Sequence, residues 1–153
     1  KNVITIGMFG AFGEAVESGD IIIPNKALVE EGTSLHYYDE IEYAEPNAEL
    51  LKKAAETIDG AKALPIVSTD AVYRQTFFKE ALWREKGAVG VDMETSALYS
   101  VGALLDINVV SILIASDKHS LNESESAWKW TMNNKVRFEF FDKCIEFAKK
   151  VRL

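Results

Sequence analysis

The sequence has one cysteine and no long run of apolar residues. Cys144 has no partner for an internal disulfide, and a single thiol excludes a multi-cysteine metal site. No apolar run approaches the ~20 residues that a membrane-spanning helix requires, and the first residues lack the basic segment and apolar core of a secretory signal. We therefore expect a cytoplasmic protein, from a reducing compartment, that has no membrane partner.

Basic residues are scarce relative to acidic ones. The chain has 17 Lys and Arg against 24 Asp and Glu, a net charge of -7. This excess disfavours nucleic acid and anionic membrane surfaces as partners, so a small molecule is the expected ligand. The two histidines, His36 and His119, have no His or Cys neighbour at ligand spacing, so we predict no metal site.

The length and composition indicate one globular domain over 1–153. Of the 153 residues 48% are hydrophobic, enough for a single core, and no linker or repeat divides them. Apolar runs alternate with segments of helical periodicity, which is typical of α/β proteins. Strands are predicted at 2–7, 21–24, 63–68, 88–91 and 108–115, and helices at 47–58, at 76–85, after 94 and from about 126 onward. The last helix is predicted to bury Val136, Phe140, Cys144, Phe147 and Val151.

Three glycines follow the first predicted strand. Gly7, Gly10 and Gly13 predict a tight turn in which the backbone approaches a ligand closely. The chain enters this strand directly from Lys1, without an initiator Met, and a strand of a parallel sheet expects neighbours on both sides. We therefore expect further sequence upstream of Lys1.

Two acids stand where a strand is predicted to become a helix. Asp92 and Glu94 follow the apolar run that ends at Val91, and helical periodicity begins at Ala97. Carboxylates at a helix start cap the helix and interact favourably with its dipole. Ligands of α/β proteins also bind at this junction, where a carboxylate accepts hydrogen bonds from a polyhydroxyl ligand such as a ribose. The local pattern leaves both interpretations open.

A second polar cluster follows the predicted central strand 108–115. Ser116, Asp117 and His119 lie beyond its carboxyl end, a position that suits a binding site. Asp117 is alternatively the N-cap of a following turn or helix. His119 is predicted to be a solvated loop residue.

Four segments taken together resemble the nucleoside phosphorylase superfamily, which contains hexameric purine nucleoside phosphorylases, uridine phosphorylases and related nucleosidases. They are 6–10 with 19–23, then 31–37, 90–94 and 115–117, in the family's order. The resemblance covers essentially the whole chain, which corresponds to about the C-terminal two thirds of a family member, without the N-terminal glycine-rich phosphate loop. It implies a three-layer α/β/α sandwich with a central mixed, largely parallel sheet, and a homo-oligomer, either a dimer or a trimer of dimers. An interface is compatible with five aromatic residues, although packing of the last helix on the sheet accounts for much of their apolar surface. They are Trp128, Trp130, Phe138, Phe140 and Phe141.

The resemblance also implies roles for individual residues. Glu94 is expected to accept hydrogen bonds from the ribose 2′ and 3′ hydroxyls, Met93 to pack on the sugar, and Asp92 to be a second acid of this region. Asp117 is expected to protonate or hydrogen-bond N7 of a purine as the glycosidic bond breaks, which is general acid catalysis.

Weaker assignments complete the expected site. Tyr73, Val72 and Ser116 match positions near the base, where an aromatic face suits stacking although core packing is an alternative for Tyr73. Gly7 and Met8 match the phosphate or sugar region.

The sequence departs from the family where phosphate is normally bound. An Arg and a Thr are expected at the positions of Thr5 and Met8, and neither replacement supplies the charge that a phosphate dianion needs. Three functions remain open. The first is a phosphorylase with inorganic phosphate as co-substrate and no other cofactor; Asp117 favours purine nucleosides as its substrates, with uridine as the alternative. The others are a nucleosidase that uses water and a non-catalytic nucleoside-binding relative.

Overall fold

The structure is a computed structural model that describes residues 1–121 and 132–151. Seven strands form its central sheet. They are β1 (Asn2–Ala11), β2 (Ile21–Ile22), β3 (Ala27–Glu30), β4 (Tyr43–Ala44), β5 (Ile66–Thr69), β6 (Gly90–Asp92) and β7 (Asn108–Lys118). Their order across the sheet is β2-β7-β1-β6-β5-β3-β4.

Parallel pairing accounts for most of the sheet. β1 lies beside β7 over its whole length, from Asn2 opposite Asn108 to Ala11 opposite Lys118. The β3–β5 and β5–β6 pairings are also parallel. Each antiparallel pairing, β1–β6, β2–β7 and β3–β4, is only two residues long. The sheet is therefore mixed and largely parallel, as expected.

Helices cover both faces of this sheet. They are α1 (Gly32–Leu35), α2 (Ala48–Thr57), α3 (Phe77–Glu85), α4 (Thr95–Leu104) and α5 (Asn134–Val151), with a short 3-10 helix at Val72–Arg74. Successive side chains of a strand point to opposite faces. Along β7, Val109 and Leu113 share a core with Tyr99 of α4, whereas Val110 and Ile112 share the other core with α2 and α5. The three-layer α/β/α sandwich is thus confirmed.

The last helix, α5, packs as its periodicity predicts. Phe140, Cys144 and Phe147 are buried against the sheet, and Val136 and Val151 pack partly buried beside them. Of the predicted interface phenylalanines, Phe138 and Phe141 are exposed, whereas Phe140 is buried in the core and the interface prediction for it is wrong. The predicted start near 126 and both interface tryptophans, Trp128 and Trp130, lie outside the described residues. Within 1–121 and 132–151 no helix is long and apolar enough to cross a membrane.

The expected turn at the early glycines is wrong. β1 continues through Gly7 and Gly10 to Ala11, with an irregularity between Phe9 and Gly10, and the positive φ of 82° falls later, at Gly13. A Cβ at Gly10 would lie 3.4 Å from both Asp117 Oδ2 and His119 Nε2. Gly10 therefore leaves room beside side chains at the end of β7 rather than making a turn.

Candidate active site

An open cavity of about 160 Å³ lies where several strands end. Thr69, Asp92 and Asp117 stand at the carboxyl ends of β5, β6 and β7, and all three line it. The full lining is Gly10, Thr69, Val72, Gln75, Val91, Asp92, Met93, Asp117 and His119. The structure thus brings together two acids that are 25 positions apart in the sequence, at the sheet edge where α/β proteins bind ligands.

Asp117 is a buried acid at the end of β7. Because β7 extends to Lys118, Asp117 lies within the strand, and it caps no helix among the described residues. Its side chain is 5% exposed, with Oδ2 3.2 Å from His119 Nε2. Ser116 Oγ donates to Asp117 Oδ1 and also lies 3.2 Å from the Phe9 carbonyl oxygen. Both carboxylate oxygens therefore face hydrogen-bond donors, which fixes the orientation of the acid.

His119 lines the cavity and makes specific side-chain contacts, although the sequence predicted only a solvated loop residue in the polar cluster after 108–115. Its Nδ1 lies 2.8 Å from Glu80 Oε1 of α3, and its Nε2 faces Asp117. These contacts, with Asp117 first and Glu80 second, raise the pKa of His119 from 6.5 to about 9, although burial opposes the shift. The expected solvated loop position is wrong, since the imidazole is held between two carboxylates. The spacing of two residues from Asp117 is the signal that places both side chains on one side of an extended chain.

Asp92 accepts from the first backbone N–H of α4, as a capping acid does, although Glu94 occupies the N-cap position itself. Its Oδ2 accepts from Thr95 N at 3.1 Å and from the Thr95 hydroxyl, and Oδ1 accepts from Ser68 Oγ at 2.5 Å. Burial raises the pKa of Asp92 from 3.8 to about 6, against the lowering effect of these hydrogen bonds and with a smaller repulsion from Glu94. Asp92 therefore combines a structural role with a place in the cavity wall.

Met93 and Glu94 differ in their relation to the cavity. Met93 lines it while remaining 45% exposed, so its thioether is available to a ligand. Glu94 is exposed, makes no side-chain capping bond, and accepts only a 3.3 Å hydrogen bond from Met93 N among the described contacts. It stands next to the cavity in sequence but is not among the lining residues, and its ribose contact stays a prediction.

The weaker assignments fall in different places. Val72 lines the cavity, whereas the side chain of Tyr73 is 99% exposed and does not. Gly7 and Met8 line a separate cavity of about 120 Å³, formed with α5 residues that include Arg137. Thr5 is engaged inside the sheet, where its hydroxyl donates to Ser111 Oγ at 2.7 Å.

Comparisons with known proteins place these features in a family. The model of the phosphorylase superfamily matches residues 1–146. A DeoD-type purine nucleoside phosphorylase of Clostridium novyi (strain NT) is 31% identical over 97% of this chain and 63% of its own length. One from Brevibacillus brevis is 32% identical over 83% of this chain and 56% of its own length. The chain therefore spans about three fifths of the curated relatives that it matches.

Solved structures agree in fold. AMP nucleosidase from Bacteroides thetaiotaomicron has a TM-score of 0.75 at 25% identity, with 99% of this chain and 61% of that chain covered. A Plasmodium knowlesi homologue of the P. falciparum PNP has a TM-score of 0.81 at 19% identity, with 99% and 62% covered, which supports the fold alone. With the family match over nearly the whole chain, the resemblance is confirmed: this chain belongs to the phosphorylase superfamily.

Proposed function

We propose that this chain forms the base and ribose side of a nucleoside phosphorylase that acts on purine ribonucleosides. The reaction is cleavage of the N-glycosidic bond by phosphate, giving free base and ribose 1-phosphate. The observation that carries the proposal is the buried, doubly hydrogen-bonded Asp117 in a cavity at the strand ends. The names of the curated relatives, purine nucleoside phosphorylases, support the same substrate class.

In this mechanism Asp117 acts on the leaving group. A purine anion is a poor leaving group, and a proton placed on N7 lets the base depart neutral as the C1′–N9 electron pair moves onto the ring. An oxygen of phosphate then forms the new bond to C1′. Val72, Val91 and Met93 give the cavity an apolar side against which a planar base and a sugar fit.

The ribose end is assigned to Met93 and Glu94. Met93 is exposed at the cavity wall and packs on the sugar. The Glu94 carboxylate, at the rim of the cavity, accepts hydrogen bonds from the two ribose hydroxyls. A carboxylate that binds both hydroxyls discriminates against analogues that lack them, at a cost of about 1 to 3 kcal/mol for each unpaired group.

Hydrolysis by water is a second candidate, favoured by a specific observation. Thr5 and Met8 replace the charged and hydroxyl-bearing residues expected for phosphate, and the Thr5 hydroxyl is already bonded to Ser111. Water is neutral and needs no cationic cradle. The AMP nucleosidase among the structural neighbours, at 25% identity, is consistent with this candidate.

Incubation of the purified chain with inosine or adenosine, with and without phosphate, separates the candidates. Base release that requires phosphate supports the phosphorylase, and release that is independent of phosphate supports the nucleosidase. Bound nucleoside without release, measured by calorimetry, overturns both and leaves a binding protein.

Asp117→Asn tests the assigned acid. We expect purine turnover to fall about 100-fold, a typical contribution of general acid catalysis, while nucleoside binding is retained. Asp39→Asn is the matched control, because Asp39 is exposed and does not line the cavity. Unchanged turnover in Asp117→Asn removes Asp117 from the acid role.

A further inference from the structure

Glu80 of α3 and two residues at the end of β7, Asp117 and His119, form a continuous series of side-chain contacts at the cavity wall. Glu80 Oε1 lies 2.8 Å from His119 Nδ1, and His119 Nε2 lies 3.2 Å from Asp117 Oδ2. Gln75 Nε2 donates to the same Glu80 oxygen at 2.7 Å. Gln75 Nε2 also lies 3.0 Å from His119 Nδ1. Each imidazole nitrogen thus faces a carboxylate oxygen, and the protonated imidazole donates to both.

Burial couples the contacts among Glu80, His119 and Asp117, which together are called the unit below. The side chains of Glu80 and Asp117 are 6% and 5% exposed, so neither carboxylate is well hydrated. A buried carboxylate is costly unless it is paired with a cation, and the imidazolium of His119 pairs with both. The His119 Nε2 proton is the one that faces Asp117 Oδ2, at a nitrogen-to-oxygen distance of 3.2 Å.

The unit is open to the cavity on one side. Gly10 has no side chain over the contact, and a Cβ there would lie 3.4 Å from both Asp117 Oδ2 and His119 Nε2. A planar ligand can therefore approach Asp117 across Gly10 while Glu80 holds the far side of the imidazole.

We propose that His119, held by Glu80, is a positioning residue that fixes the Asp117 carboxyl toward the cavity and supplies the proton that Asp117 delivers to the leaving base. This rests on the proposed function. In the balanced step, the His119 Nε2 proton moves to Asp117 and a carboxyl proton moves to purine N7. The C1′–N9 bond breaks with its electron pair going to the base, and an oxygen of phosphate forms the new bond to C1′. His119 ends neutral and recovers its proton from solvent after the base departs.

The pH dependence follows from the groups that face the imidazole. These are Glu80 from α3 and Asp117 from β7, and Asp92 lies in the wall of the same cavity. The raised pKa of His119, about 9, keeps the unit protonated through neutral pH. Without the imidazole, the group with this raised pKa is absent, so the alkaline fall in kcat is expected to move to lower pH.

His119→Gln is the principal test, with inosine and 7-methylguanosine as substrates. The ring of 7-methylguanosine already carries a positive charge, so its departure needs no proton at N7. We expect kcat for inosine at neutral pH to fall about 100-fold with KM nearly unchanged, and the alkaline limb of the pH profile to move to lower pH. Turnover of 7-methylguanosine is expected to fall less than about threefold, because no proton transfer is needed. Equal losses on both substrates, or an unmoved alkaline limb, overturn the proposal.

Two further variants keep the test independent of folding. Glu80→Gln preserves the shape and an oxygen acceptor for His119 Nδ1 but removes the charge, so the alkaline limb moves in the same direction by a smaller amount. His36→Gln is the matched control, because His36 is exposed and does not line the cavity. This variant should leave the pH profile of kcat for inosine unchanged on both its acid and its alkaline side.

Imidazole titration by NMR separates failure of this inference from failure of the proposed function. The chain has two histidines, so His36→Gln assigns the His119 resonance. We expect His119 to titrate near pH 9 and to move lower in Asp117→Asn. A wild-type chain that releases no base overturns the proposed function and proton delivery together. An active wild type whose His119 titrates near its ordinary value overturns the role of His119 alone.

Discussion

Asp92→Asn isolates the effect of one buried carboxyl on stability. Asp92 accepts from Thr95 N at 3.1 Å and from Ser68 Oγ at 2.5 Å, and burial raises its pKa to about 6. Asn keeps a carbonyl oxygen for Thr95 and presents an amide donor to Ser68 Oγ, so the helix cap is retained. The substitution chiefly removes the titration.

The sign follows from the raised pKa. The Asp92 carboxyl has an ordinary pKa of 3.8 and about 6 in the folded chain, so its neutral form is favoured by folding. Its contribution to stability is fully present below pH 3.8 and is lost as pH rises through about 6. The pKa difference corresponds to about 3 kcal/mol. Relative to wild type, Asp92→Asn is therefore expected to gain about 2 to 3 kcal/mol in unfolding free energy between pH 4 and pH 7.

Urea denaturation of the wild type and Asp92→Asn at several pH values measures this difference in unfolding free energy. Groups that titrate in both proteins contribute equally and cancel in the difference. Glu94→Gln is the control, because the Glu94 carboxylate is close to Asp92 in sequence but exposed. We expect it to change the unfolding free energy by no more than about 0.5 kcal/mol at pH 4 or pH 7. A difference between Asp92→Asn and wild type that stays flat, or moves in favour of wild type as pH rises, refutes the assignment of a buried, desolvated carboxyl.

Three further predictions concern packing and the ribose rim. Tyr99→Phe leaves Ser111 N–H, now 3.1 Å from the hydroxyl, without that acceptor, and should lower the unfolding free energy by about 1 to 3 kcal/mol in urea titrations. Gly90→Ala places a Cβ 2.4 Å from Phe9 Cδ2 and should cost about 2 to 3 kcal/mol; a wild-type melting temperature contradicts the close packing. Glu94→Ala should weaken ribonucleoside binding by about 1 to 3 kcal/mol in calorimetry and leave free-base binding unchanged; equal losses indicate no ribose contact.

Local signals in the sequence locate the longer elements. Asn47 and Thr76 precede α2 and α3, and each side chain accepts from a backbone N–H of the first turn. The strands β3 and β4 have four and two residues, too short for a hydrophobic alternation to identify. They are defined by pairing with each other and with β5, which is a tertiary effect.

The sequence predicts those site residues whose position depends on the local sequence pattern, but not the contacts between residues that are far apart in the chain. Asp92 and Asp117 are found because each follows an apolar run at a strand end. Ser68, which donates to the buried Asp92 carboxylate, lies 24 residues before Asp92 and is not part of the local pattern around the two acids. Likewise His119 meets Glu80 39 positions earlier in the chain, so its role becomes visible only once α3 and β7 are in place.

The charge of the cavity separates the two candidate nucleophiles. With a pKa of about 6, Asp92 is mostly ionised at pH 7, and the positive His119 is shared with Asp117 and Glu80. A phosphate dianion near Asp92 is repelled, whereas water is not. If the enzyme is a phosphorylase, Asp92→Asn should therefore lower the KM for phosphate about fivefold at pH 7, equivalent to about 1 kcal/mol. At pH 5 the wild-type Asp92 is already mostly neutral, so the two chains should converge there. If Asp92→Asn and the wild type have the same KM for phosphate at both pH values, the anion binds away from Asp92. If base release does not depend on phosphate, the nucleophile is water.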